Sequence, residues 1–229
     1  MTAATNETHP KPGSPIALLG FLCILALGAI LRLYDLDRRL MHGDEANQAI
    51  KTALLLETGE YAYDPHEHHG PTLYYFSNAL ERILGHNTRA NMTETSLRII
   101  PAFFGIATIA LVWLLRTAVG TPATLFAALL LALSPALTFY SRYYIQETLL
   151  ACFTLAAVIA TWRYIIERKL IWSTIAAAAL ALMFTTKETW VISVAGLIVA
   201  TIVAFRWSVP TRTDKPNYIV HTVVALMVA

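Results

Sequence analysis

Charge is what this chain has least of. Lys, Arg, Asp and Glu make up 14% of its 229 residues, where a soluble globular domain carries about 25%. A formal net charge of +2 is too small to hold a polyanion, which excludes nucleic acid as a partner. There are only two cysteines, Cys23 and Cys152. Both lie inside apolar runs, so they provide neither a disulfide framework nor zinc-ligand spacing. Ten glycines and ten prolines are too few for a collagenous or low-complexity chain. Hydrophobic residues are what is abundant, at 56% with a mean hydropathy of +0.54. The composition is that of an all-α, polytopic membrane protein.

Crossing about 30 Å of hydrocarbon takes roughly 20 apolar residues. Six stretches approach that length: 16–34, 96–115, 122–140, 148–166, 170–186 and 189–205. The first lacks a small-residue cleavage site and reads as a retained span rather than a signal peptide. A further apolar run opens at Tyr218 and continues to Ala229; twelve helical residues reach only about 18 Å. The expectation is a tail over 1–15 followed, over 16–229, by the amino-terminal part of a longer transmembrane domain whose last helix is cut short.

Orientation follows from basic residues. With the tail in the cytoplasm, the inner connections near 116–121, 163–169 and 206–216 carry Arg116, Arg163, Arg168, Lys169, Arg206, Arg212 and Lys215, as the positive-inside rule requires. The segment 35–94 then faces outward from a plasma (cytoplasmic) membrane. It holds ten of the fifteen acids and five of the seven histidines, far more than a connector needs. Two short amphipathic helices are predicted inside it, suited to the membrane surface. One runs from about Glu45 to Thr58, capped by Asp44 and ended by Gly59, with Ala46, Ala49, Ile50, Ala53 and Leu54 on its apolar side. The other begins at Pro71 and ends before Gly85, with Leu73, Phe76, Leu80, Ile83 and Leu84 on one side.

Four groups of residues can carry chemistry. Asp44 and Glu45 form a pair of carboxylates that can act as a general base and a neighbour adjusting its pKa; they serve equally as a helix cap and a dipole partner. Glu67, His68 and His69 are the residue types that bind a divalent metal, although adjacent histidines seldom share one ion and a solvated polar loop fits the spacing better. Arg142 and Glu147 flank the junction between the third and fourth spans, and Lys187 with Glu188 the next outer junction. Charges there can simply match helix dipoles or snorkel, yet ionisable groups at the bilayer edge are costly. All four groups emerge on one side. That set suits a phosphate-bearing lipid, with carboxylates activating an acceptor hydroxyl and cations stabilising the departing phosphate.

The order of these motifs resembles the GT-C class of membrane glycosyltransferases. Within it, the chain is most similar to the protein mannosyltransferase and aminoarabinose transferase superfamily. Asp44-Glu45 sits where that family has a first-loop acidic motif. His69-Gly70-Pro71-Thr72-Leu73-Tyr74-Tyr75 looks like its Lys-Pro-Pro-Leu-Tyr-Trp segment, with Gly70-Pro71 in place of Pro-Pro. Ser141-Arg142 with Gln146-Glu147 resembles its Arg…Asp motif, with Glu in place of Asp, and Lys187 falls near a family lysine. His42-Gly43-Asp44-Glu45 together with Glu67-His68-His69-Gly70-Pro71 is similar to a flippase-associated subgroup of archaea and bacteria. The resemblance implies inverting transfer of a sugar from a polyprenyl-phosphate donor to an acceptor outside the cytoplasm. In it Asp44, next to Glu45, would be the base or acceptor-orienting group. Arg142 and Lys187 would hold the donor phosphate. Glu147 and Tyr74 would line the substrate site, and Glu67, His68 and His69 would hold any metal. The rival expectation is a non-enzymatic accessory in lipid-linked glycan translocation.

Overall fold

Every one of the six apolar stretches folds as helix in the computed structural model, which describes residues 14–61, 63 and 69–207. In chain order the elements are α1 (Pro15–Leu33), α2 (Gly43–Thr58), α3 (Thr72–Ile83), α4 (Glu94–Val112), α5 (Arg116–Val119), α6 (Thr121–Leu133), α7 (Pro135–Ser141), α8 (Glu147–Glu167), α9 (Leu170–Thr186) and α10 (Trp190–Trp207). The described residues contain no strand, only a single bridge between His69 and Lys187. The tail before Ser14, Glu67 and His68, and the apolar run from Tyr218 lie outside the described residues. Three helical stretches are long and apolar enough to cross a membrane: Pro15–Leu33, Glu94–Val119 and Glu147–Glu167. A fourth span is formed if α6 and α7, bent by 60°, count as one. The remaining two expected spans, α9 and α10, are apolar but shorter than that test.

The bend between α6 and α7 has an identifiable cause. Pro135 cannot donate a helical hydrogen bond, and its ring expels the preceding turn. The carbonyls of Leu131 and Ala132 are taken over by the guanidinium of Arg32 on α1, at 2.9 and 3.2 Å, which also donates to Ser141 Oγ at 3.3 Å. A charged side chain within an apolar span is thereby satisfied, as it must be at that depth. Gly105 on α4 makes this contact possible: a Cβ there would stand 2.2 Å from Ser141 Oγ.

The loop helices form where expected, with one change at the start. His42, not Asp44, caps α2: its Nδ1 accepts from the Asp44 amide at 3.3 Å while Glu45 Oε2 accepts from the His42 amide at 3.1 Å, a reciprocal capping box. Their faces also divide differently. Ile50, Leu54, Ile83 and Leu84 are exposed, while the polar row Glu45, Gln48 and Thr52 of α2 and the row Tyr74, Ser77 and Glu81 of α3 are buried. Among the expected apolar sides only Ala53 and Leu73 are fully buried. The polar rows meet each other and the segment after α7. Tyr144 hydroxyl lies 2.7 Å from both Thr52 Oγ1 and Ser77 Oγ, and Gln146 donates to Gln48 at 3.0 Å. Glu81 accepts from Ser96 at 2.6 Å and contacts His86 Nδ1 at 2.5 Å. Exposed apolar residues opposite buried polar rows are the reverse of a water-soluble helix.

Candidate functional site

One end of the bundle gathers the ends of α1 and α9 with the starts of α2, α4, α8 and α10, and there the chemistry-bearing residues fall into three groups. The first is built on Glu45, which is fully buried. Its carboxylate receives Arg98 Nε and Nη2 at 2.8 and 2.9 Å, Arg39 Nη2 at 3.1 Å, and the Tyr144 and His42 amides at 2.9 and 3.1 Å. Burial pushes its pKa up, but the Arg98 and amide bonds outweigh this and hold it below the usual carboxylate range. Glu45, expected beside Asp44 as the neighbour that adjusts the pKa of a base, is the saturated anchor of α2. Asp44, on the next position of the helix, points outward with its side chain 68% exposed. Tyr143 hydroxyl lies 3.3 Å from Asp44 Oδ2 and 2.7 Å from His42 Nδ1. Burial and the Asp44 charge raise the Tyr143 pKa, so the phenol stays a donor to that carboxylate.

The second group surrounds Lys187, whose Nζ lies 2.5 Å from Glu147 Oε1. The loop leaving the polar stretch is pinned here. Gly70 N donates to Thr186 O at 3.2 Å, and Thr72 Oγ1 donates to Thr185 O at 2.8 Å. Any side chain at Gly70 would meet Thr185 O at 2.0 Å, so the close passage demands glycine. Two buried polar atoms without a hydrogen-bond partner among the described residues belong to residues that meet this lysine: His69 Nδ1 and Glu147 Oε2. Such atoms are uncommon in a native interior and mark a place built for a ligand or water. Below the ion pair a cavity of about 790 Å³ runs between α4, α6, α8 and α10, past Thr108, Val112, Leu155 and Val158. From Glu147 to Val158 along α8 it spans about 16 Å.

The third group holds Arg142, which donates to the carbonyls of Leu31, Tyr34 and Asp35 at 3.0, 2.6 and 2.8 Å. Arg142 and Lys187, the two cations expected on one phosphate, line different cavities. Tyr74 is fully buried, its ring 5.5 Å from that of Tyr61, and belongs to the polar core between α2 and α3 rather than to either cavity. Of the residues expected to hold metal, Glu67 and His68 lie outside the described residues. His69 Nδ1 stands 3.8 Å from Glu188, and no group of three metal-binding side chains exists among the described residues. Sequence reasoning missed Arg98, Arg39 and Tyr143 as site residues. Arg98 alone carried a signal, as an ionisable residue within an apolar run.

This arrangement of spans, surface helices and a charged end is the architecture of the GT-C membrane glycosyltransferases. The profile of the dolichyl-phosphate-mannose-protein mannosyltransferase family matches residues 68–229, and the chain belongs to that family. Its fold is similar to that of the Saccharomyces cerevisiae protein O-mannosyltransferase Pmt1–Pmt2 complex bound to the sugar donor, with a TM-score of 0.71 and 18% identity over 95% of this chain and 32% of that one. It is also similar to the apo oligosaccharyltransferase of Archaeoglobus fulgidus, with a TM-score of 0.68 and 18% identity over 93% of this chain and 28% of that one. The same organism's AglB, in complex with an inhibitory peptide and a dolichol-phosphate, gives a TM-score of 0.61 at 14% identity, over 93% of this chain and 32% of that one. The chain thus spans about a third of the length of these structures. No curated protein sequence matches it.

Proposed function

We propose that the chain carries the donor-binding and acid-bearing part of a membrane glycosyltransferase that moves a sugar from a polyprenyl-phosphate donor to an acceptor outside the cytoplasm, with inversion. The observation that carries this is the Lys187–Glu147 pair set over a long apolar cavity of about 790 Å³, at the same end as the exposed Asp44. An isoprenoid chain matches the cavity's apolar lining, and Lys187 neutralises the phosphate that leaves. Asp44 takes the proton of the acceptor hydroxyl as its oxygen attacks the anomeric carbon from the face opposite the phosphate. The carbon–oxygen bond to phosphate breaks with its electron pair passing to the phosphate oxygen. Tyr143 holds the Asp44 carboxylate in place, and Glu45 with Arg98 fixes the helix that presents it. A divalent metal, where the reaction uses one, would fall to His69 with Glu67 and His68. The structural relatives support this reading: one carries a sugar donor and another a dolichol-phosphate.

The test is transfer from a polyprenyl-phosphate sugar in proteoliposomes. Asp44→Asn is expected to lower the rate about 10²–10⁴-fold, the usual contribution of a general base, while leaving membrane insertion and donor binding intact. Unchanged transfer would remove the base. Donor binding with no transfer by the unmodified chain would favour the rival, an accessory in lipid-linked glycan translocation.

A further inference from the structure

Outside the donor cavity, a second and smaller cavity of about 190 Å³ is lined by Leu36, Arg38, Arg39, Arg98, Phe139 and Arg142. Four of the six are arginines. Among the ion pairs of this group, Glu45 takes Arg98 and Arg39, and Asp35 lies 3.8 Å from Arg38. Arg142 bonds only carbonyls and has no carboxylate partner among the described residues, which leaves a cation that an anion can neutralise.

The arginines are placed with care. Arg98 is held by Glu45 and by the carbonyls of Leu36 and Arg39 at 2.6 and 2.9 Å. Arg39 lies over the rings of Phe139 and Tyr143, 5.0 and 4.8 Å from their centroids, and those rings stack at 5.6 Å. Arg142 is locked to three carbonyls at the end of α1. The turn that carries Leu36 to Arg39 opens at Asp35, a non-glycine residue at φ 58°, a conformation kept only where surroundings enforce it. Donors remain for a ligand, since Nε of both Arg39 and Arg142 and the whole Arg38 guanidinium make no hydrogen bond among the described residues.

From this geometry we infer that the cavity is a binding site for the phosphate of a membrane lipid headgroup, separate from the donor phosphate at Lys187. Guanidinium forks match phosphate oxygens in pairs. The volume accepts a phosphate with a few attached atoms and is below that of a pocket for a whole small-molecule ligand, about 300 Å³ or more. The depth is right for a headgroup because the cavity abuts the end of the α1 span. Leu33, Tyr34 and Leu40, exposed at 44, 72 and 89%, give apolar surface for acyl chains beside it. The inference does not depend on the donor assignment, whose cavity shares no residue with this one.

The experiment uses the full chain in nanodiscs of phosphatidylcholine containing a minor share of phosphatidylglycerol, and native mass spectrometry to count the phosphatidylglycerol retained. Arg38 is the residue to change, because its side chain is 81% exposed and carries no helix. Arg38→Gln is expected to lower retention roughly fivefold, the effect of one basic residue near an anionic surface, and Arg38→Glu to abolish it. Arg89→Gln, an exposed arginine away from the cavity, should change nothing. Equal losses from R38E and R89Q, or none from R38E, would overturn the site. Competition by inorganic phosphate without any phosphatidylglycerol enrichment would overturn the lipid as its source. A loss of polyprenyl phosphate in R38Q, with phosphatidylglycerol unaffected, would overturn its separation from the donor.

Discussion

Glu45 and Glu147 show how differently two carboxylates at one end of a bundle can be used. Glu45 has every acceptor position filled by Arg98, Arg39 and two backbone amides. Removing one side of such a buried pair leaves the other charge uncompensated, which costs about 3–5 kcal/mol. Glu45→Gln is therefore expected to lower the stability of the purified protein by that order, measured by thermal or denaturant unfolding in detergent. The sign with pH follows from the depressed folded pKa. The stabilisation is fully present above the unfolded value of about 4.3 and is lost as pH falls through the lower folded value. Wild type should weaken across that acid window, and the Gln variant should show a flatter profile there. Glu147 is the opposite case, a single carboxylate on Lys187 with its second oxygen unpartnered. If Lys187 is the phosphate ligand, Glu147 competes with the donor for it. Glu147→Gln should bind a sugar-free polyprenyl phosphate about tenfold more tightly, a 1.4 kcal/mol gain, and Lys187→Gln should bind it more weakly. Weaker binding by the Glu147 variant would remove the competition.

At the scale of elements, what could be read in advance was what an apolar run or a cap residue encodes locally. All six hydrophobic stretches are helical, and α2 and α3 lie within two or three residues of their expected bounds, because length, Gly59 and Pro71 act on their own neighbourhood. The inward polar rows were not legible. Glu45, Gln48 and Thr52 look like a solvent face until Tyr144 and Gln146, more than ninety residues away, arrive to pair with them. The same distance separated Arg32 from the carbonyls it serves and Arg142 from α1. The α6–α7 break makes this testable. Arg32→Leu strips the Leu131 carbonyl of its donor and leaves the Ala132 carbonyl only Thr138 Oγ1 at 3.4 Å, and an unsatisfied carbonyl costs about 1–3 kcal/mol. Replacing Pro135 with Ala restores a helical amide to the Leu131 carbonyl and should lower the cost of losing Arg32. A double-mutant cycle between Arg32→Leu and Pro135→Ala is expected to give a coupling of about 1–2 kcal/mol. Strict additivity would mean that Arg32 does not serve the break.

For the whole molecule, the proposed mechanism requires that the end bearing Asp44 and Lys187 lie across the membrane from the end bearing Arg163 and Lys169. The ends differ in kind. At the first, loop helices, Asp44 and Lys187 converge. At the other, Arg163 donates to Glu167 and to Leu114 O at 2.6 and 3.1 Å, Lys169 lies 3.0 Å from Glu167, and Trp172 donates to the same carboxylate at 3.0 Å. Here two cations, Arg163 and Lys169, share a single acid, Glu167, the pattern that the positive-inside rule expects of a cytoplasmic face. Impermeant maleimide labelling separates the two faces, provided Cys23 and Cys152 are first replaced by alanine. Tyr63→Cys, at a position 53% exposed, should label on intact cells. Lys169→Cys, with a side chain 67% exposed, should label only once the membrane is opened. Were the pattern inverted, Lys187 and Asp44 would face the cytosol. Transfer to an acceptor outside would then be impossible for this chain, whatever its cavity binds.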